Sequence, residues 1–282
     1  LQFIMIDIHD DYDHKEAVEY ILENVLMPDD GSLEFKRLQD DYNSQLTSTC
    51  SCATNSNNNV CNNRVNCCHG GDFEYKQANN ELVLYKNEDQ RFNSVTECND
   101  LCKCLLQQCS NRLVQLGPRK NLDIFNSPRY KSMALRTLVD IPSGAFICEY
   151  AGELLTLKEA KRRLEIIDNC NKMNFILCLH EYTKLKNSTD YRVSQVTIVD
   201  PTYRGNIGRY LNHSCQPNCE IFAVRINCPI PKIGIFAKRN ISANEELCFH
   251  YGGEDLGHDL AAGKPCLCLS PNCVGVLPNT RF

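Results

Sequence analysis

The sequence predicts a mostly β domain of many short strands, flanked by irregular modules that bound metal, rather than a hydrophobic core, must hold together. Three observations carry this expectation. From about residue 112 onward, short apolar runs alternate with turn residues. Between Cys50 and Cys109 the chain has little periodicity but nine cysteines. Three more close the chain as C-x-C-x4-C at Cys266, Cys268 and Cys273, while Cys215 stands alone in Arg209-Tyr-Leu-Asn-His-Ser-Cys215.

Nineteen cysteines in 282 residues leave two physical classes open. One is a secreted disulfide scaffold; the other holds metal with thiolates in a reducing compartment. An odd count forbids complete intramolecular pairing, and disulfide scaffolds are usually far shorter, so metal is favoured. The apolar start at 1–6 lacks a basic flank and is interrupted by Asp7, which does not read as a secretory leader. No apolar run approaches about eighteen residues, so no membrane span is expected. The net charge of −5, with Asp7, Asp10, Asp11, Asp13, Glu16, Glu19 and Glu23 near the start, argues against direct sequence-specific DNA binding. It suits either a basic peptide partner or a solvated acidic face.

Element by element, residues 1–49 read as a small flanking segment. Asp13-x-x-Glu16 has the form of a helix N-cap, and Val18, Ile21, Leu22, Val25 and Leu26 follow a helical stripe up to Pro28. Residues 50–110, which include Asn57-Asn58-Asn59, cannot bury a conventional core, so metal cross-links must replace it. Strands are expected at 122–125, 145–150, 175–179, 197–199, 220–226, 233–237 and 246–251, from their lengths and their β-branched or aromatic content. One helix interrupts them. Thr156-Leu-Lys-Glu159 is a capping box, and the helix runs on from Ala160 through Ile167.

Zinc takes four thiolate or imidazole ligands tetrahedrally, and closed cysteine sites are structural. The N-terminal set is Cys50, Cys52, Cys61, Cys67, Cys68, Cys98, Cys102, Cys104 and Cys109. Nine sulfurs supply the twelve bonds of three zincs if three of them bridge. Two separate four-cysteine sites with one thiol left over fit less neatly. Nine thiolates and three Zn²⁺ sum to −3, so cations such as Arg64, Lys103 or Arg112 are expected nearby. The Cys67-Cys68 pair is awkward, because adjacent side chains seldom ligate together. The C-terminal triplet lacks a fourth ligand, for which Cys215 is the candidate. One zinc there would pin the tail over Asn212-His213 and complete a pocket. Cys148, Cys170, Cys178, Cys219, Cys228 and Cys248 read as small buried hydrophobes.

These residues together resemble a SET-domain protein lysine methyltransferase over roughly residues 48–280. The nine cysteines resemble the pre-SET zinc module, Tyr150-Ala-Gly-Glu153 the family's Y-x-G-E, and Cys266 to Cys273 the post-SET motif. Gly205-Asn-Ile-Gly-Arg-Tyr-Leu-Asn-His-Ser-Cys215-x-Pro217-Asn218 is similar to the family's most specific signature, and Glu245-Glu-Leu-Cys-Phe-His-Tyr251 to its E-E-L-x-F-D-Y strand. The combination is that of the suppressor-of-variegation class, and the string from Val199 to Arg209 looks most like the SET–transposase fusion branch and its invertebrate relatives. The resemblance implies a SET fold of several small curved sheets with a pseudoknot-like C-terminal segment, plus irregular zinc-stabilised pre-SET and post-SET modules. It divides the chain into an N-terminal helical flanking segment (1–47), pre-SET (48–116), SET (117–252) and post-SET with tail (253–282).

The resemblance also implies the chemistry: transfer of methyl groups from S-adenosylmethionine to a lysine ε-amine of a histone H3 tail. Tyr251 would sit near the transferring methyl, with Tyr150 orienting the amine. Lys131, Ser132, Met133, Phe175, Arg209, Asn212 and His213 would contact the cofactor. Phe249, which has no hydroxyl to hold a water in the substrate channel, implies di- or trimethylation. Specificity is expected in the surface between about 181 and 198 and in the post-SET segment. A chromatin-associated, nuclear monomer follows by the same route. Three positions depart from the family pattern. Lys131-Ser-Met-Ala-Leu-Arg136 lacks both glycines of K-G-x-G-x-R, Phe175 replaces a common Tyr, and His250 replaces an Asp. The competing reading is therefore a weak or inactive SET module that binds histones or other proteins without turnover.

Overall fold

The computed structural model describes residues 18–50, 69, 73–78, 81–86, 94–104, 109–184, 191–252, 264–279 and 282. In chain order, the elements before the long β region are β1 (Glu19–Tyr20), β2 (Val25–Leu26), α1 (Leu33–Asn43), β3 (Phe73–Ala78), β4 (Glu81–Lys86) and β5 (Ser94–Thr96). There follow β6 (Leu122–Ser127), β7 (Ser132–Thr137), β8 (Phe146–Glu149), β9 (Glu153–Leu154), α2 (Leu157–Asn169), β10 (Leu177–Lys184) and β11 (Tyr191–Asp200). The last are β12 (Arg204–Gly205), β13 (Asn212–His213), β14 (Cys219–Arg225), β15 (Lys232–Ala237) and β16 (Cys248–Phe249). Most of the strands expected from the sequence are present, in small sheets. Two of these are four-stranded, ordered β10-β11-β9-β2 and β5-β14-β15-β8. Among the described residues no helix is long and apolar enough to cross a membrane.

Sheets this small have much edge and little interior, so they close on one another. One apolar cluster gathers Leu135, Ile147, Leu154, Val199, Leu211, Ile233, Ile235, Ile241 and Leu247 from elements spread along the chain. Each of these side chains contributes about 1.5–3 kcal/mol by leaving water. Helix α2 begins where the capping box places it: Thr156 Oγ accepts from Glu159 N–H at 3.2 Å. Its buried side, Ala160 and Ile167, packs with Leu155, Ile176 and Ile198.

Two expectations are corrected. The stripe from Val18 to Leu26 is not helical. Its residues form β1, parallel to β12, and β2, parallel to β9. Unpaired strand edges of the β domain offer this segment backbone partners that outweigh a weak local preference, and Ile21 and Met27 are buried in the process. The flanking helix is α1 instead, capped by Ser32, whose Oγ accepts from Phe35 N–H at 2.9 Å. Nor does all of 50–110 lack a core. The β3–β4 hairpin and β5 send Tyr75, Leu84 and Val95 into a cluster with Phe146, Phe222 and Phe236. Of the six cysteines expected to pack, Cys148, Cys219 and Cys248 are buried and Cys178 and Cys228 half-buried. Cys170, at the C-terminal cap of α2, is exposed.

The chain crosses itself at the site. Strands β13 and β16 pair in parallel, with Asn212 opposite Cys248 and His213 opposite Phe249, while the β14–β15 hairpin lies between them in sequence. Asn218 fastens the crossing: its Oδ1 accepts from Cys248 N–H and its Nδ2 donates to Glu246 O, both at 2.8 Å. This is the pseudoknot-like segment that the resemblance implies.

Candidate active site and metal centres

Tyr150, Phe175, Phe249 and Tyr251 line one cavity of about 510 Å³. Tyr150 follows β8 directly, on backbone that Gly208 approaches closely. A Cβ at 208 would lie 2.5 Å from Glu149 O and 2.9 Å from Tyr150 Cα, so only glycine fits there. The Tyr150 hydroxyl donates to Phe175 O at 2.6 Å, and the Tyr251 hydroxyl donates to Leu211 O at 3.0 Å. The Phe249 ring stands edge-on to Tyr150, with centroids 6.0 Å apart, and 5.0 Å from Tyr251. Burial raises both phenols well above their usual range; Tyr251 is raised further by Cys248 and Glu246, and Tyr150 by Tyr251 and Asp200. Both stay protonated at neutral pH. Since each proton is committed to a backbone carbonyl, the remaining capacity of each oxygen is to accept.

The C-terminal segment also lines the cavity, through Lys264, Leu277 and Pro278. Lys264 Nζ donates to Lys172 O, closing that segment against the turn after α2. A tail that completes the pocket was expected from the cysteine spacing, and the structure has that arrangement.

The residues expected to meet a cofactor fall into three groups. The Arg209 guanidinium lies 4.6 Å from the Phe175 ring centroid, and its Nε donates to Pro201 O at 3.1 Å. A second group joins β7 to β13: Asn212 Nδ2 donates to Met133 O at 3.4 Å, and Ser132 Oγ lies 3.5 Å from Asn212 Oδ1. Lys131 precedes them in the left-handed region, with φ 52°. His213 stands apart from both groups. Its Nδ1 accepts from Tyr251 N–H at 3.1 Å, its Nε2 is 3.4 Å from Cys215 Sγ, and its ring packs on His250 and Tyr251. The His213 side chain thus links the aromatic cavity to the C-terminal cysteines. Sequence reasoning passed over Glu246, which accepts from Ser127 Oγ at 2.8 Å and Asn212 Nδ2 at 3.1 Å, and Tyr130, whose hydroxyl donates to His213 O at 2.8 Å. Glu246 was legible within the E-E-L motif; Tyr130 carries no local signal.

All fifteen described cysteines are free thiols. Cys215, Cys266, Cys268 and Cys273 converge, with their sulfurs all within 4.8 Å of one another. The Cys215–Cys266 separation is 3.9 Å, against about 3.8 Å for two sulfurs on one tetrahedral zinc. Gly275 N–H donates to Cys273 Sγ at 3.4 Å, as suits a thiolate. The donor set fits structural zinc. In the N-terminal module two groups share Cys98: Cys50, His69, Cys98 and Cys102, and then Cys98, Cys104 and Cys109. A sulfur common to two groups is what a bridged cluster requires. Among the described residues, Arg112 is a cation beside it. Burial works against its charge, but Cys104, Cys98 and Cys109 outweigh that, and its Nη2 donates to Asn99 O at 2.6 Å. Cys52, Cys61, Cys67, Cys68 and Arg64 lie outside the described residues.

Comparison with known proteins agrees with this geometry. The SET domain family model matches residues 132–252. The probable histone-lysine N-methyltransferase set-23 of Caenorhabditis elegans is 44% identical over 188 residues, covering 64% of this chain and 71% of the worm protein. Histone-lysine N-methyltransferase SETMAR of Rattus norvegicus is 37% identical over 243 residues, covering 82% of this chain and 68% of the rat protein. The crystal structure of the methyltransferase domain of human SETMAR superposes with a TM-score of 0.69 at 32% identity, covering 93% of this chain and 89% of that one. With the aromatic cavity, the crossed β13–β16 pair and the flanking cysteine groups in the same chain, this protein belongs to the SET-domain histone-lysine N-methyltransferases, a family of S-adenosylmethionine-dependent protein-lysine methyltransferases.

Proposed function

We propose that this chain methylates a lysine of the histone H3 tail to the di- or trimethyl state, as a chromatin-associated monomer of the nucleus. We further propose that it carries three zincs in the N-terminal cluster and one in the C-terminal site. The observation that carries the catalytic reading is the aromatic cavity whose two phenols are held protonated with their oxygens free to accept. S-adenosylmethionine, when bound, supplies a methyl on a sulfonium. Everything else is the work of the protein. Aromatic walls from Tyr150, Phe249 and Tyr251 suit the sulfonium that carries the methyl. Loss of water in the cavity and the positive charge of a bound sulfonium both disfavour the charged lysine and lower its pKa, so that the attacking amine is neutral. The Tyr150 and Tyr251 oxygens accept from the amine N–H groups and face the positive charge that develops on the methyl, fixing the line of attack.

The loss of the two glycines of the family pattern fits the backbone of this arrangement. Neither Ser132 nor Ala134 has a positive φ; both lie in regular β7, opposite Ser127 and Phe125, and Ala134 is fully buried. The turn is made by Lys131 instead. The loss of both glycines therefore strains no backbone, which favours turnover over a purely binding role. Phe249 has no hydroxyl of its own to hold a water in the channel, supporting the higher methylation states. The β10–β11 surface, where Val193 and Val196 are exposed, and the C-terminal wall would set which lysine enters. The deciding experiment is methylation of a histone peptide array with the product mass determined. Methylated H3 peptides, and their loss with Tyr251→Phe, are expected. Cofactor binding without methyl transfer to any peptide would establish the binding-module reading instead.

A further inference from the structure

We propose that Asn24, in the segment that precedes the β domain, is a positioning residue for methyl transfer. It holds the turn that carries Tyr150, which makes residues 18–27 part of the apparatus that sets the reacting geometry rather than a flanking addition. The proposal rests on the reading of Tyr150 as the residue that orients the amine. Tyr150 lies between the end of β8 and the start of β9, where the backbone leaves one four-stranded sheet for the other. Its own N–H donates to Ile233 O at 2.8 Å. The next two peptide N–H groups have left that ladder and need other acceptors.

Two asparagines supply them. Asn206 Oδ1 accepts from Ala151 N–H at 3.2 Å while its Nδ2 donates to Glu149 O at 2.8 Å. Asn24 Oδ1 accepts from Gly152 N–H at 3.0 Å while its Nδ2 donates to Glu149 Oε1 at 3.2 Å. The orientation of the Asn24 amide is fixed, because the Gly152 N–H can only donate. Each asparagine therefore spans Tyr150, one along the backbone and the other from the Glu149 side chain to Gly152. The turn is also packed against the end of β11: a Cβ at 152 would lie 2.6 Å from both Asp200 C and Pro201 N.

Asn24 is itself held. It is buried, at 8% exposure, and the Tyr42 hydroxyl of α1 donates to its carbonyl oxygen at 3.1 Å. The next residue, Val25, donates its N–H to Gly152 O at 3.1 Å and begins the β2–β9 ladder. Glu149 is buried too, and its second carboxylate oxygen accepts from Lys232 Nζ at 2.9 Å, with Glu23 on the same ammonium at 3.0 Å. Burial pushes the Glu149 carboxyl up, and Lys232 opposes it. A buried carboxylate depends on its donors. Removing the Asn24 amide therefore releases Glu149 and Gly152 together, on both sides of Tyr150. A shift of about 1 Å in such a group costs on the order of 100-fold in rate. Asn212 and His213, expected at the cofactor, lie on β13, which is held by β16.

The test is steady-state kinetics of the full, metal-replete chain on an H3 tail peptide, at a temperature where circular dichroism shows each variant folded. Cofactor affinity is followed by calorimetry. Asn24→Ala is expected to lower kcat about 10- to 100-fold, with peptide KM and cofactor affinity within a few-fold of the parent. Its effect should shrink to a few-fold in a Tyr150→Phe background, because both changes act through one hydroxyl. Asn24→Asp sets a carboxylate against Glu149 and should lose as much. Asn24→Asp combined with Glu149→Gln exchanges donor for acceptor, keeps the net charge and should recover to within a few-fold of the parent. That pair decides the matter if Asn24→Ala does not fold. An unchanged kcat in Asn24→Ala, an equal loss in both backgrounds, or a double variant no better than Asn24→Asp overturns the proposal. A Tyr150→Phe variant with the parent's kcat overturns instead the reading beneath it, and the proposal with it.

Discussion

At the scale of single residues, the two tyrosines of the proposed mechanism would act by position rather than by titration, because burial keeps both protonated. Tyr251→Phe is expected to lower kcat on the order of 100-fold while leaving cofactor affinity within a few-fold, which calorimetry and methyl-transfer assays separate. The rate should rise with pH as the substrate amine loses its proton. It should show no fall through about pH 10 from either phenol, since both titrate above the ordinary phenol value. A falling limb near neutrality that vanished in Tyr251→Phe would contradict this assignment. Phe249→Tyr would place a hydroxyl beside the amine and shift the product toward monomethyl-lysine, read by mass spectrometry. The residues behind these predictions were legible because the family motifs are contiguous strings. Tyr130 was not legible, since its contact with His213 spans 83 positions and depends on the β6–β7 turn.

At the scale of elements, α2 and β8 show how local signals and close approaches hold the site. Glu159 at the start of α2 is held at about 2, first by its hydrogen bonds from Arg162 and then by Arg163, against burial that opposes ionisation. A carboxyl with a depressed pKa contributes stability that is fully present above its unfolded value of about 4.5 and is lost as pH falls through about 2. Glu159→Gln is therefore expected to be less stable than the parent above about pH 4.5 and to converge with it in acid, as denaturant unfolding at several pH values would show. Gly208→Ala forces a Cβ against Glu149 O, so the strand end carrying Tyr150 must move. Destabilisation of about 1–3 kcal/mol is expected, with a loss of turnover larger than the stability loss explains. The capping box made α2 readable in advance. The pairing of β1 with β12 and of β2 with β9 was not, because two-residue strands take their conformation from the edge they join.

At the scale of the whole molecule, the C-terminal cysteines join the chain's end to its catalytic crossing. Cys215 follows β13 by two residues, and the segment held by Cys266, Cys268 and Cys273 supplies one wall of the cavity. Removing metal with a chelator, or making Cys268→Ser, should release that wall. Methyl transfer should be lost while the β core stays folded, and protease cleavage in 264–279 should become faster. Retained activity in a zinc-free chain would show that packing of Leu277 and Pro278 alone closes the pocket.

The sequence alone determined the family motifs, the helix α2, most of the long strands and the four C-terminal cysteines that converge, because each is encoded in short-range spacing. Only the tertiary structure decided that residues 18–26 become strands, that the β3–β4 hairpin joins the core, and that His69 lies among Cys50, Cys98 and Cys102. These depend on which edges and cavities remain open once distant segments have packed. Spacing along the chain records the ligands a segment brings, whereas the partners it meets are fixed by burial and backbone pairing across the fold.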